Sequence, residues 1–262
     1  MASGAHVGLI GFGAIGRDLY AHLSVIPGLR VTVLTRGSAA ALPEGVEEVR
    51  SLDALIATGP SLVVEAAGQA AATDMLPALM EAGIDVVIGS TGALGDDALL
   101  GRLLAAAQNS GAKLVVPAGA VGGLDYLAAL APVDGTRVTY TSRKPVAAWT
   151  EELRAAGCDP VMLTGEHVLF EGTAREAAKL YPRNLNAGFT VALAAGHERT
   201  KVRVIADPAA TGNIHEITVE GPVGSAAMRF TNLPSPDNPK TSALTALSLA
   251  LAVRRHLASI VI

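Results

Sequence analysis

The chain has 262 residues, 20 of them basic and 24 acidic, for a net charge of -4, and half of it is apolar. That length can bury a sizeable core as one large domain or two modest ones, and without a run of Lys or Arg to track phosphates the composition argues against a nucleic-acid groove. The single cysteine, Cys158, rules out an internal disulfide and fits a reducing, cytoplasmic setting; the N-terminal MASGAHVGLIG lacks signal-peptide features, and the apolar run at 244–253 is too short to span a bilayer.

The first 37 residues carry the strongest local pattern. A strand over 6–10, a turn Gly11-Phe12-Gly13, a helix over 14–23 and a strand over 31–34 make a βαβ unit with GxGxxG at its first turn. Gly11 permits the tight turn, Gly13 lets the backbone approach a pyrophosphate, and Gly16 lets the helix pack closely on the strand. The helix N-terminus, beginning at Ala14 and Ile15, offers free N–H groups and the positive end of its dipole to phosphates. Dinucleotide binding follows from the motif in this context.

Twenty residues after Gly16, where NAD enzymes commonly place an acid for the ribose 2′-hydroxyl, stands Arg36. A guanidinium beside hydroxyls suits a 2′-phosphate, and the local sequence has no carboxylate to repel one, so the expected cofactor is NADP or NAD. The plain alternative is a solvated loop charge.

The alternation continues with strands over 61–66, 85–89 and 113–117 and helices over 70–82 and 96–110. This predicts an α/β fold: an N-terminal Rossmann dinucleotide-binding domain, residues 1–123, whose loops 65–69, 89–93 and 117–123 line the cofactor cleft. Beyond it, strands over 137–142, 168–171, 201–206 and 216–220 and a helical segment within 182–196 predict a second α+β domain, residues 124–240, for substrate binding and oligomerisation. Residues 232–239 read as a loop. A last helix over 241–257, within a segment 241–262, is expected to return to the Rossmann domain, and Trp149 is expected at the domain junction.

GLIGFGAIG, VPAGAVGGLD, TSRKPVAAW, LYPRNLNAGFTVALA, GNIHEI and NPKTSALTALSLAL, in that order, resemble the L-aspartate dehydrogenase family over nearly the whole chain. The later motifs are far more specific than the glycine turn. The resemblance implies oxidation of L-aspartate with NAD or NADP and assembly as a homodimer or higher homo-oligomer. It also implies a catalytic histidine at His215 and cofactor contacts at Ala120 and Asn186, with Asn184 as the alternative within its motif. Because the position of Arg36 varies with cofactor choice, NAD and NADP both stay open.

The chemistry agrees with those residues. Hydride transfer from an amino acid's Cα requires a neutral amine, so a base must first remove the ammonium proton, and a histidine accepts it near neutral pH. On its own residues His215 reads equally as a hydrogen-bonded structural imidazole, and on an extended strand its neighbour Glu216 points away from it. Among the other histidines, His6 precedes the first strand, His22 lies on a helix, His197 sits in the charged turn HERTK and His256 joins a basic helix end, and only His167, beside Glu166, competes as a base. No metal-ligand spacing occurs. A dicarboxylate such as L-aspartate or oxaloacetate needs cations or N–H donors, for which the candidates are Arg143, Lys144, Lys240, Thr241 and Ser242; the last three are read as the start of the final helix. The plain alternative makes them a helix start and surface ion pairs. Two other functions stay open: a Rossmann reductase resembling homoserine dehydrogenase or dihydrodipicolinate reductase, and an NADP-sensing protein without turnover.

Overall fold

The computed structural model describes residues 4–37, 42–181, 186–235 and 238–261. The chain divides into two units, Met1–Gly119 with Thr245–Ile262, and Ala120–Leu244.

The first unit contains β1 (His6–Ile10), α1 (Ala14–Leu23), β2 (Arg30–Leu34), β3 (Glu47–Val49), α2 (Leu52–Ala57), β4 (Leu62–Glu65), α3 (Gln69–Glu81), β5 (Asp85–Ile88), α4 (Asp97–Ser110) and β6 (Leu114–Val115). The strands form one parallel sheet in the order β3-β2-β1-β4-β5-β6. The order reverses between β1 and β4, the switch point where such sheets take a ligand at their carboxyl ends. All five residues of β1 and all four of β4 are buried, as expected of strands covered on both faces. The Rossmann fold is therefore as the alternation predicts. The sequence reading missed β3 and α2, where Ser51 caps α2 by accepting the Ala54 N–H.

The second unit contains α5 (Leu124–Leu130), β7 (Arg137–Lys144), α6 (Thr150–Ala155), β8 (His167–Thr173), α7 (Ala174–Leu180), α8 (Asn186–Ala195), β9 (Thr200–Ala206), β10 (Asn213–Gly221), β11 (Gly224–Asn232), β12 (Pro234–Ser235) and β13 (Asn238–Ser242). Its main sheet runs β11-β10-β7-β9-β8, antiparallel except for the β7–β9 pair. The mixed α and β content with a mostly antiparallel sheet matches the α+β expectation. Its core gathers Tyr140, Val191, Val202, Val204, Ile217 and Val219, and it encloses Trp149 completely, which corrects the expectation of a junction residue.

The final helix, α9 (Leu244–Leu257), belongs to the first unit beyond its first residue. Leu249, Ala250 and Val253 pack with Val7, Leu9, Leu62 and Val64. The segment before it departs from expectation. Residues 232–239 are not simply a loop, because β12 and β13 pair there as a small hairpin, and Lys240, Thr241 and Ser242 lie on β13 rather than opening the helix. Asn238 precedes Pro239, which disfavours helical backbone at Asn238, and the Ser242 hydroxyl accepts the Leu244 N–H at 3.1 Å, so the helix begins later than predicted. His215 is the third residue of β10 and not a residue ahead of the strand. No described helix is long and apolar enough to cross a membrane.

Candidate active site

The glycine turn has the geometry a dinucleotide needs. Gly11 has φ +90 and donates its N–H to the Leu34 carbonyl at 2.9 Å, and a Cβ on it would lie 2.8 Å from that of Ala67. At Gly16 a Cβ would meet the Gly11 carbonyl oxygen at 2.4 Å, so the close approach of α1 to the turn depends on the missing side chain. Gly13, by contrast, has φ -75 and open space around it, and as the N-cap of α1 it offers no side-chain acceptor. The first N–H groups of α1, at Ala14 and Ile15, are therefore left for an anion, which fits a pyrophosphate.

Around this turn the strand ends are organised by a residue whose role the sequence reading missed. Glu65 closes β4 fully buried, and its carboxylate accepts the N–H groups of Ala67 and Gly68 at 2.7 Å each, the Ser90 N–H at 2.9 Å and the Ser90 hydroxyl at 3.1 Å. Two of the loops expected to line the cleft, after β4 and after β5, thus share one carboxylate. The available signal was an acid ending the apolar run LVVE, since a charge buried there requires several donors. In the third loop Gly119 donates its N–H to the Ser248 hydroxyl of α9 at 2.8 Å.

Arg36 follows β2, exposed, with Asp74 at 3.5 Å. The Thr35 hydroxyl donates to Glu48 of β3 at 2.6 Å. Carboxylates therefore do surround this position, and the absence of one in the local sequence was misleading because tertiary structure supplies them. An exposed pair of this kind contributes little, so Asp74 can yield Arg36 to a phosphate.

In the second unit the register fixes a chemically distinct sheet face. His215 on β10 pairs with Ser142 on β7, which puts His215, Tyr140, Ser142 and Lys144 on one face and Arg143 with Glu216 on the other. The His215 ring is buried, and its Nδ1 lies 2.7 Å from the Tyr140 hydroxyl. Its Nε2 has no hydrogen-bond partner among the described residues. Burial, and then the charge of Lys144, push the imidazole down to about 4, while burial pushes the Lys144 amine down to about 8. The Lys144 ammonium lies 5.1 Å from the centroid of the Trp149 ring, a cation–π arrangement that offsets part of its desolvation. Burial raises the Tyr140 phenol well above its ordinary value, so it stays neutral.

The sequence-predicted substrate residues do not all converge here. Arg143 is turned to the opposite face and engaged by Glu166, Asp207 and Glu216, an ion network internal to the unit. Lys144 shares the face of His215. Thr241 is half-buried and Ser242 buried on β13; the Lys240 side chain lies outside the described residues. Asn186 is the first residue of α8, and Asn184 lies outside the described residues. The carbonyl of Ala120 accepts the Asn232 side-chain amide at 2.7 Å. The competing histidine, His167, has its Nε2 3.6 Å from Cys158 Sγ.

Comparison with known proteins agrees with this architecture. The family described as "Aspartate dehydrogenase, C-terminal" matches residues 125–256, and the description "Homoserine dehydrogenase, NAD binding domain" matches residues 11–117. The chain is 48% identical to L-aspartate dehydrogenase 2 of Bordetella bronchiseptica over 96% of its own length and 97% of that protein. Among solved structures, aspartate dehydrogenase of Thermotoga maritima superposes with a TM-score of 0.78 at 29% identity, covering 98% of this chain and 99% of that one. A dihydrodipicolinate reductase from Paenisporosarcina, at 13% identity, TM-score 0.52 and coverage of 94% and 95%, shares the fold alone. The homoserine dehydrogenase description covers the cofactor domain only, whereas the aspartate dehydrogenase likeness runs the length of the chain, and the chain belongs to the L-aspartate dehydrogenase family.

Proposed function

We propose that the protein catalyses NAD- or NADP-dependent oxidation of L-aspartate to iminosuccinate, which water converts to oxaloacetate and ammonia, or the reverse reductive amination, with His215 as the acid/base. The observation that carries the assignment of His215 is its setting: an imidazole with one nitrogen engaged by Tyr140 and the other without a partner among the described residues, beside Lys144.

Gly11, Gly13, Ala14, Ile15 and Gly16 would hold the cofactor's pyrophosphate, Arg36 its ribose end, and Ala120 and Asn186 further parts of it. When bound there, the nicotinamide cofactor would supply the hydride acceptor for the substrate Cα. The chain itself supplies proton handling and charge. His215 is neutral at working pH, so Nε2 can take the substrate ammonium proton and free the lone pair that stabilises the developing iminium. Lys144 offers a dehydrated cation to one substrate carboxylate, and Thr241 and Ser242, with Lys240, are assigned to the other. Arg143 is left to the ion network on the far face. Assembly as a homodimer or higher homo-oligomer and a cytoplasmic location belong to the same reading, supported by the family likeness and by the lone Cys158.

The test is nicotinamide absorbance with NADP or NAD and a panel of amino acids. Aspartate-dependent reduction is expected, and the His215→Ala variant should bind cofactor normally while losing turnover by about 100-fold or more. A variant that keeps full rate removes His215 as the base. Cofactor binding without reduction by any amino acid would favour the sensing protein.

A further inference from the structure

The loop that opens the second unit is poorly held by its own sequence, since three of the five residues 119–123 are glycine. The edge strand β11 holds it instead. Alternate residues of a strand share one face, and because His215 pairs with Phe230, the residues Met228, Phe230 and Asn232 stand on the face of His215. Each meets one residue of the loop, in antiparallel order. A Cβ on Gly123, which caps α5 with φ +72, would collide with Met228 Sδ, and a Cβ on Gly122 would lie 3.3 Å from Phe230 Cε1. The third contact is polar: the Asn232 side-chain amide donates to the Ala120 carbonyl at 2.7 Å.

Ala120 has no polar side chain, so a polar contact from it to a cofactor comes from its main chain. A carbonyl only accepts, which makes the NH2 group of Asn232 the donor, and a carbonyl oxygen keeps a second lone pair when the first is engaged. The bond therefore does not consume Ala120. It fixes the plane of the peptide group, and with it the direction of whatever the main chain still offers. Asn232 lies two residues along β11 from the partner of His215, so one strand sets both Ala120 and the imidazole in place.

We propose that Asn232 is a positioning residue for the cofactor, holding the main chain of Ala120 in its binding orientation so that the loop 120–123 is ordered before the cofactor arrives. The proposal rests on the reading of Ala120 as a cofactor contact. A loop this rich in glycine would otherwise have to be ordered on binding, which weakens affinity. In this role Asn232 acts on cofactor affinity and not on the chemical step.

The test is a double-variant cycle read by fluorescence titration with NADPH and NADH, without substrate. Asn232→Leu keeps the side-chain volume and loses the donor, and Asn232→Ala loses both. Each should raise the cofactor Kd about five- to tenfold, as expected for one lost hydrogen bond, with the kinetic effect in KM for the cofactor rather than in kcat. Ala120→Val crowds the contact itself and should raise Kd alone. On that background Asn232→Leu should add less than about twofold, since a residue that acts through Ala120 has little further to lose there. A lowered urea midpoint with unchanged Kd in the Asn232 variants, or the same loss of affinity from Asn232→Leu in both backgrounds, overturns the proposal. A Kd raised in Ala120→Val but not in Asn232→Leu removes Asn232 and leaves the Ala120 reading standing. An unchanged Kd in Ala120→Val removes that reading, and the role of Asn232 falls with it.

Discussion

Lys144 and His215 share one face of the second unit's sheet, Lys144 standing two residues along β7 from the partner of His215. Burial first and this ammonium second hold the imidazole at about 4. A substrate carboxylate paired with Lys144 would cancel the second effect, so His215 should become a stronger base when aspartate is bound. The expected pH profile has the acid limb of kcat/KM near pH 4 and that of kcat at higher pH. In Lys144→Met the free-enzyme limb should move up, which separates it from the titration of the substrate's own carboxyl groups. Coincident limbs in the wild type, unmoved in the variant, would count against this coupling.

The same lysine should cost stability. Its folded value of about 8 lies below its ordinary 10.5, so between those values the unfolded chain binds more protons and stability rises with pH; below pH 8 the full penalty is present. The shift corresponds to about 3 kcal/mol, from which the cation–π contact with Trp149 subtracts. Lys144→Met is expected to stabilise the protein at pH 7 by about 1–3 kcal/mol in urea unfolding while raising KM for aspartate. His215 acts with the same sign in a more acidic window. Its folded value of about 4 lies below 6.5, so its contribution is complete above pH 6.5 and declines as pH falls to about 4. Lost stability in Lys144→Met would mean that the ammonium is better compensated than its burial implies.

Two glycines of one turn should respond differently to alanine. Gly16→Ala places a methyl 2.4 Å from the Gly11 carbonyl oxygen, a backbone atom that cannot swing away, and should lower the melting temperature markedly. Gly13→Ala meets nothing within 4 Å and has an ordinary φ of -75, so it should fold as well as the parent and lose cofactor affinity because the methyl occupies the approach to α1. Calorimetry and cofactor titration on the pair decide it, and equal effects on folding would remove Gly13's assignment to the pyrophosphate.

What could be read from the sequence was what repeats locally. The parallel strands are continuous apolar runs and α1, α3 and α4 are long enough to show their period, so the Rossmann unit was legible to within a few residues. Short elements escaped. Helix α7 spans seven residues and announces itself only through the capping box of Thr173 and Glu176, a signal present in the chain and not used. The hairpin that adds β11 turns on Pro222-Val223, which lacks the usual Asn-Gly signature. At the candidate site His215 could be named from its motif, but Tyr140 could not, because their contact depends on the β7–β10 register across 75 residues. Arg143 parts from Lys144 for a related reason: adjacent in sequence, the two lie on opposite sides of the sheet, and Arg143 takes the ion-pair alternative.

Arg36 should discriminate between the cofactors. Its partner Asp74 is 3.5 Å away and both side chains are exposed, so the pair holds the guanidinium weakly. Arg36→Ala is expected to lower kcat/KM with NADP about tenfold through loss of a charge-assisted contact to the 2′-phosphate, with NAD little affected. Asp74→Ala should shift the preference toward NADP by removing a competing carboxylate. Equal losses with both cofactors in Arg36→Ala would return the residue to an ordinary solvated charge.

Glu65 gives the sharpest test of the cofactor cleft because its four donors leave no room for an amide. Oε1 accepts from Ala67 N–H, Gly68 N–H and the Ser90 hydroxyl, and Oε2 accepts from Ser90 N–H. In Glu65→Gln the new NH2 group must face at least one of these donors, and each buried donor left unmatched costs about 1–3 kcal/mol. The loops after β4 and β5 should loosen together, since one carboxylate fastens both, and the Ala67 wall against Gly11 moves with them. The expected result is a lower urea midpoint together with a several-fold rise in cofactor KM and a kcat largely retained at saturating cofactor. A lower midpoint with unchanged cofactor KM would confine Glu65 to holding the sheet edge, because the turn at Gly11 would then be independent of the loop it touches.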